Sequence, residues 1–426
     1  MKVCIIGSGG REYAIAKKLI VDNPDIVLDA VPGNDAMTFA TIHPDIAATD
    51  IPAIVDFCTA NSIDLCVVAP DDPLVLGLVD ALEDAGIACF GPRQCGAMLE
   101  GSKRFAKEFM VKHGIPTASY AEFTDVEEAR SYVRQASYPL VIKADGLALG
   151  KGVVIVPDMA QAEEVLENFM VDLKFGTSSA AVIIEEFLSG PEISVLAFCD
   201  GKTIKPMISS MDHKKIFDND RGPNTGGMGC IAPNPVFTPA VAEEFERTIM
   251  RPTLAGLMAD GLDFRGCLYF GLMLTDKGVQ VIEYNARFGD PETQVVLPLL
   301  NSNLLDIFIA TSAGRLEDVD VDFADTHATC VVMACEGYPE NPIKGNVISY
   351  ESDVENYLVF AGVKRNEDGE LESSSGRVLN ILGFGDSLNA AIDSAYEHVS
   401  QVSFAHSHYR TDIGTTAREI EAHHDF

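Results

Sequence analysis

The chain is poor in positive charge. Across 426 residues, 31 Lys and Arg stand against 64 Asp and Glu, a formal net charge of −33. That balance excludes binding to nucleic acid or an acidic membrane over the general surface, and it leaves anionic small molecules only where cations gather in clefts. The 10 cysteines contain no Cys-x-x-Cys pair, and several (Cys4, Cys66, Cys330) lie in apolar runs. Buried reduced thiols of a cytoplasmic protein fit this better than disulfides or a zinc site. No apolar run is long enough for a membrane span, and Met1-Lys2-Val3 enters a strand with no signal peptide before it. Repeats and low-complexity tracts are absent. The length is too great for one core, so two to four domains are expected. The 47% hydrophobic and 22% charged content is that of an ordinary globular enzyme.

In the first hundred residues short apolar runs (Val3–Ile6, Val27–Val31, Leu65–Val68, Ala88–Phe90) alternate with helical patterns (Arg11–Val21, Ile51–Asn61, Leu74–Ala85). This order predicts an α/β unit with a parallel sheet. Ser102 reads as an N-cap for a helix over Lys103–His113, stopped by Gly114 and Pro116. A small α+β unit follows, with a helix over Val126–Ala136 and strands at Leu140–Ala144, Val153–Val156 and Val182–Glu186. Residues 190–300 read as sheet-rich, with one long helix near Ala240–Met258. The acidic stretch Glu317–Asp325 reads as a linker, and strands return from Thr326. Ser387–Gln401 is a capped amphipathic helix, and Asn366–Ser375 reads as an exposed polar turn.

The most informative stretch is the apolar strand Val279–Ile282 running into Glu283-Tyr284-Asn285-Ala286-Arg287-Phe288-Gly289-Asp290-Pro291-Glu292. Alternation puts Glu283, Asn285 and Arg287 on one face and Ile282, Tyr284 and Ala286 on the other. Carboxylate and amide oxygens suit Mg²⁺ shared with substrate phosphates, and arginine suits planar oxyanions. A nucleotide-phosphate site outranks a salt-bridged strand end, because three such groups on one face need a common partner.

Gly7-Ser8-Gly9-Gly10-Arg11-Glu12 joins the first strand to the first helix, where glycines let backbone N–H groups approach an anion. The dinucleotide pattern needs a third glycine where this chain has Glu12, so a phosphate or phosphosugar at the turn and Arg11 fits better. A plain tight turn competes with that reading. Asp145–Gly152 is not a Walker A loop, because only three residues lie between Gly146 and Gly150 where four are needed, and Gly152 follows Lys151. It reads as a glycine-rich hairpin that folds over phosphates, and Lys143 in the apolar strand before it calls for an anionic partner, nucleotide phosphate ahead of a structural acid when taken with the other motifs. Gly222–Gly229 forms either an N–H nest for an oxyanion or a flexible hinge. Glu185–Leu188 is an ordinary connection or a hinge whose backbone reads adenine. His213 could be a base, although a surface histidine in a polar turn fits its neighbours better.

Together, these motifs resemble the glycinamide ribonucleotide synthetase family of ATP-grasp enzymes. The resemblance covers essentially the whole chain, and its most specific blocks are Gly222–Gly229 and Arg287–Gln294. It implies an α/β and α+β multidomain fold: an N-terminal parallel-sheet domain over 1–102, an ATP-grasp core over 103–324 with a mobile small lobe at about 119–189, and a C-terminal domain over 325–426. It implies ATP-dependent joining of glycine to phosphoribosylamine through glycyl phosphate, with Mg²⁺ or Mn²⁺ on Glu283 and Asn285. ATP would be held by Lys103 and Lys143, by Gly150, Lys151 and Gly152 of the flap, by Glu185, Glu186, Phe187 and Leu188 at adenine, and by Glu192 at ribose. Gly9, Gly10, Arg11 and Glu12 would meet phosphoribosylamine. Asn224, Thr225, Gly226 and Gly227, with Asp212, Arg287 and Asp290, would lie near glycine or the reacting phosphoryl group. A cytoplasmic monomer or weak homodimer is expected. Tyr13 and Phe360 depart from the family pattern, each standing where it usually has His. Another ATP-grasp ligase or carboxylase, or a non-catalytic ATP-binding protein, are the alternatives.

Overall fold

The computed structural model describes residues 1–147 and 152–424. The amino-terminal strands Lys2–Gly7, Val27–Pro32, Thr41–Ile42, Leu65–Val68 and Ala88–Phe90 form a parallel sheet with Lys2–Gly7 at its centre. Their residues are apolar nearly throughout, as a sheet covered on both faces requires. The helical pattern over 74–85 is two helices, Asp71–Val75 and Leu78–Asp84. Gly77 separates them at φ +87, a conformation that no helix can contain.

Ser102 caps the helix Lys103–Lys112 by accepting the Phe105 N–H at 3.1 Å. Beyond it, Tyr120–Phe123, Leu140–Ala144, Val153–Val156 and Val182–Glu186 make a four-stranded antiparallel sheet. This sheet and its helices share a core of their own, including Ile142, Leu166, Phe169 and Ile184. A second antiparallel sheet pairs Glu192–Cys199 with Gly266–Thr275, and the latter with Gly278–Asn285. The long helix expected near 240–258 runs as Pro239–Phe245 and Arg251–Ala259, joined by a π-turn at Glu246–Met250.

The carboxy-terminal region is built on His327–Cys335 and Arg377–Gly385, with the helix Leu388–Val399 packed on both. Its sheet also takes in Met211–Asp212 and Gly229–Ala232, which precede the central sheet's longest strands in sequence. The acidic stretch after Glu317 is not a free linker. Leu300 bridges Phe323, and Asn301 N–H donates to the Asp322 carbonyl at 2.9 Å. The turn at 366–375 is exposed only at its tip, because Leu371 and Ser373 are buried in a short hairpin with Val363–Arg365. Among the described residues no helix is long and apolar enough to cross a membrane.

Candidate active site

The strand Gly278–Asn285 carries the first part of the site. Its register with Gly266–Thr275 slips once: Gly271 faces Glu283 while Leu272 faces Val281, so Ile282 is the extra residue of a bulge. Val281 and Tyr284 stay packed, and Tyr284 Oη meets Thr253 Oγ1 at 2.7 Å. Strict alternation over Ile282 therefore fails, because Ile282 joins Glu283 and Asn285 along the cleft. Its unpaired carbonyl accepts a hydrogen bond from Lys143 Nζ at 3.1 Å.

Lys103, Lys107 and Lys143 converge on the same cleft. The anionic partner that Lys143 calls for is Glu185, whose Oε1 lies 3.0 Å from Lys143 Nζ and 3.3 Å from Lys107 Nζ. Burial lowers the Lys107 amine to about 8, opposed by Glu185. Burial also lowers Lys103, opposed chiefly by Glu283. Burial pushes the Glu283 carboxyl up, but Lys214, Lys143, Lys103 and Arg287 together overcome it and hold the group below its usual range. Three of these cations also have acids of their own, Lys143 with Glu185, Lys214 with Glu192 and Arg287 with Glu100, so the cleft is a dense network of alternating charge.

The small sheet is tied to this cleft through Asp145. Its Oδ1 accepts from Ser102 Oγ at 2.9 Å and from Arg104 N–H at 2.8 Å, and its carbonyl accepts Lys103 N–H at 2.9 Å. Lys103 Nζ donates to the Gly146 carbonyl at 3.1 Å. Gly152 is buried beside the cleft, while Gly150 and Lys151 lie outside the described residues. Glu186 accepts Ser119 N–H at 3.0 Å, Phe187 is exposed, and Leu188 is half-buried. Glu192 pairs with Lys214 at 2.7 Å.

The glycine turn after the first strand is closed by its own acid. Glu12 Oε2 accepts Gly9 N–H at 2.6 Å, and Glu12 Oε1 pairs with Arg11 Nε at 2.6 Å. Arg11 reaches onward to the Phe288 carbonyl at 3.1 Å. A side chain at Gly10 would meet Asn380 Nδ2 at 2.5 Å and Gln294 Nε2 at 2.8 Å, so the turn sits where all three regions of the chain meet. Tyr13 and Phe360, the two departures from the family pattern, pack edge to face at 5.9 Å, and Tyr13 also meets Phe39 at 5.2 Å. The two positions form one apolar contact.

Arg287 Nη2 pairs with Glu100 Oε1 at 2.8 Å, and Glu100 Oε2 accepts Ala286 N–H at 2.7 Å. Phe288 anchors the turn by joining the rings of Phe90, Phe198 and Phe308. Asp290 accepts from Gln294 Nε2 at 2.7 Å and pairs with Arg377 at 3.1 Å, while Arg377 Nη1 also bonds the Gly226 carbonyl at 2.7 Å. Burial pushes Asp290 up, but Arg377 and Arg11 bring it below its usual range.

Asp212 behaves oppositely: burial raises it well above the usual range, and Glu292 adds to the rise. Glu292 Oε1 in turn accepts from Tyr269 Oη at 2.7 Å. In the glycine loop, Gly226 N–H is given to Tyr338 Oη at 3.0 Å and Gly227 N–H to Thr225 Oγ1 at 3.0 Å. Thr225 Oγ1 donates to the Lys214 carbonyl at 2.9 Å, and Asn224 pairs with Lys215 in a short hairpin. Gly227 has φ +115, and a Cβ there would lie 2.4 Å from Pro291 Cδ and 2.8 Å from Asp212 Oδ1. The glycine lets these two segments touch. Three buried polar atoms in this neighbourhood have no partner: Asp212 Oδ1, Arg287 Nε and Gln294 Oε1.

His213 is not on the surface. It is buried beneath the carboxy-terminal turn, with Nδ1 on the Gly229 carbonyl at 3.3 Å and Nε2 accepting Gly414 N–H at 3.1 Å. Burial, aided by Arg410, drives its pKa down to about 4. Sequence reasoning passed over Glu100, Lys107, Lys214 and Arg377. Glu292 stood inside a quoted motif and could have been found there. Arg377 opens an ordinary-looking strand and carried no local signal.

The models of three phosphoribosylglycinamide synthetase domains match this chain in order: the N domain over residues 1–100, the ATP-grasp (A) domain over 101–293 and the C domain over 328–416. A phosphoribosylamine–glycine ligase of Clostridium acetobutylicum is 45% identical over 414 residues, covering 97% of this chain and 99% of that protein. One of Allochromatium vinosum is 45% identical over 98% of this chain and 99% of that protein. The crystal structure of phosphoribosylamine–glycine ligase from Thermotoga maritima superimposes with a TM-score of 0.85 at 34% identity, covering 97% of this chain and 100% of that one. The biotin carboxylase domain of a 2-oxoglutarate carboxylase from Hydrogenobacter thermophilus shares the fold, with a TM-score of 0.72 at 17% identity over 96% of this chain and 91% of its own. With three domain models in register and relatives aligned along nearly their full length, the chain belongs to the phosphoribosylglycinamide synthetase family.

Proposed function

We propose that this chain joins glycine to 5-phosphoribosylamine at the expense of ATP, giving glycinamide ribonucleotide, ADP and phosphate in de novo purine biosynthesis. The observation that carries the reading is Glu283, held ionised by Lys103, Lys143, Lys214 and Arg287. Lysines and an arginine gathered on one cleft with Glu283 and Asn285 fit a polyphosphate held beside a divalent cation. The named relatives catalyse this ligation by their names, and the resemblance in the glycine loop and the Arg287–Gln294 block is what separates them from other ATP-grasp enzymes.

Glu283 and Asn285 supply hard oxygen donors, one of them anionic, which fits Mg²⁺ or Mn²⁺. A divalent cation bound there with ATP would offset the charge that develops on the transferred γ-phosphoryl group. Lys103 and Lys143 add fixed positive charge to the same place, already oriented by Gly146 and Ile282 carbonyls. A glycine carboxylate oxygen attacks the γ-phosphorus, the bond to ADP breaks, and glycyl phosphate forms. Phosphoribosylamine then attacks the carbonyl carbon, phosphate leaves with that oxygen, and the amine gives up a proton. Arg287, steadied by Glu100, and the unpartnered Asp212 Oδ1 stand where glycine and the phosphoryl group would be held. Arg11, Gly9 and Gly10 face the phosphoribosyl side, with Glu12 setting the Arg11 fork. In this reading the division into 1–102, 103–324 and 325–426 separates the phosphosugar turn, the nucleotide cleft and the Arg377 buttress. The chain is a cytoplasmic monomer or weak homodimer.

The test is ADP release with glycine and freshly made phosphoribosylamine, each omitted in turn. Release that needs both substrates supports the reading. Release without either, or with bicarbonate in place of glycine, sinks it. Glycine labelled with ¹⁸O in its carboxylate should pass one labelled oxygen per turnover to inorganic phosphate.

A further inference from the structure

Outside this site, the amino-terminal sheet holds a cluster of sulfur that the ligation chemistry does not use. Cys4 and Cys66 are Cα partners on adjacent parallel strands, so their side chains leave the same face of the sheet. Cys58 comes down on that face from the helix Ile51–Ala60. The three Sγ atoms lie within 4.8 Å of one another, all three residues are 0% exposed, and none is in a disulfide. A metal bonded to three sulfurs at about 2.3 Å sets them about 4 Å apart, so the thiols already stand close to the required triangle.

The ligand set is sulfur alone. His43 and Asp29 flank the cluster, but His43 Nε2 is bonded to Asp29 Oδ1 at 2.7 Å. Cys89 pairs with Cys66 across the next strand, yet its thiol donates to the Ile87 carbonyl at 3.6 Å. Among the described residues no fourth ligand completes the tetrahedron that Zn²⁺ prefers, whereas thiolates in low coordination suit Cu⁺. We propose that Cys4, Cys58 and Cys66 form a three-sulfur site that takes one soft monovalent cation of the Cu⁺ class. Each thiol that becomes a thiolate on binding releases its proton to solvent. A bound ion pins the helix Ile51–Ala60 to the sheet through Cys58, adding to the packing of Ile51, Ile54, Val55 and Phe57.

The experiment titrates reduced full-length protein with Cu⁺ under anaerobic conditions against a colorimetric Cu⁺ chelator. One copper per chain is expected, with a rise in Tm. Cys4→Ser and Cys58→Ser should lose it, while Cys95→Ser, at the exposed cysteine, should keep it. X-ray absorption at the copper edge of the unmodified protein should find three sulfur neighbours, a readout that holds even where a serine variant fails to fold. Copper retained by Cys58→Ser, nitrogen or oxygen neighbours at the edge, no copper bound, or a disulfide in intact-mass spectra in place of bound metal would each overturn the proposal.

Discussion

Glu283 and Asp212 are carboxylates that share Lys214 as a neighbour, and burial raises the pKa of both. Their shifts run in opposite directions. Around Glu283, three further cations outweigh burial. Around Asp212, Glu292 and Glu192 add to burial, and Lys214 with Arg377 cannot overcome them. The direction of each shift is thus set by the sign of the neighbouring charges and not by depth. Cations draw the Glu283 carboxyl down, while acids push the Asp212 carboxyl up.

The largest effect should come from making both acids neutral. Glu283→Gln should cut turnover by a hundredfold or more, about 3–4 kcal/mol if it resembles loss of one charge-stabilising contact in a transition state. Asp212→Asn keeps the shape of the other acid without its charge, at a site where burial and Glu292 already disfavour that charge, and should cost less than tenfold. Equal losses in steady-state ADP release would break the comparison.

A second test uses His213, the residue next to Asp212. Its folded pKa of about 4 lies below the ordinary value near 6.5, so between those limits the unfolded chain binds the extra proton. Stability is complete above pH 6.5 and falls as the pH drops toward 4, by up to about 3 kcal/mol. Urea denaturation across that window should show the slope, and His213→Gln should flatten it. An unchanged slope in the variant would assign the acid sensitivity elsewhere.

Arg11→Ala should raise the KM for phosphoribosylamine about tenfold or more, the worth of one or two charged hydrogen bonds. The KM for ATP should move little, because the Lys103–Glu283 cleft does not include Arg11. Equal rises would mean that the turn is only structural. Gly227→Ala should cost about 1–3 kcal/mol of stability for a side chain forced into a left-handed conformation. Because the new methyl presses on Pro291 and Asp212 Oδ1, it should also disturb glycine KM. A shift in denaturation midpoint with glycine KM untouched would separate Asp212 from the substrate.

Much of this was legible in sequence because it is written in local patterns. The parallel strands, the Ser102 cap, the Ser387 cap and the Glu283–Asn285 pair each depend on neighbours a few residues away. The failures are of another kind. The helix over 74–85 breaks because Gly77 takes a positive φ, which the periodicity of its neighbours conceals. His213 looks exposed among Asp212 and Lys214, and is buried only because Gly414, two hundred residues on, closes over it. Ile282 changes face through a bulge set by its partner strand. Lys107 and Glu100 sit in helices whose polar residues look solvated until the cleft forms against them. The sulfur triangle joins residues 4, 58 and 66, whose spacing resembles no metal motif. In each case the deciding contact crosses between elements.

Asp145 belongs to the small sheet, yet it caps the helix that carries Lys103. Any displacement of the small sheet would therefore cost the amino end of that helix two of its hydrogen bonds and take the Gly146 carbonyl from the lysine. Sheet and lysine are geared together, so neither can be moved without disturbing the other.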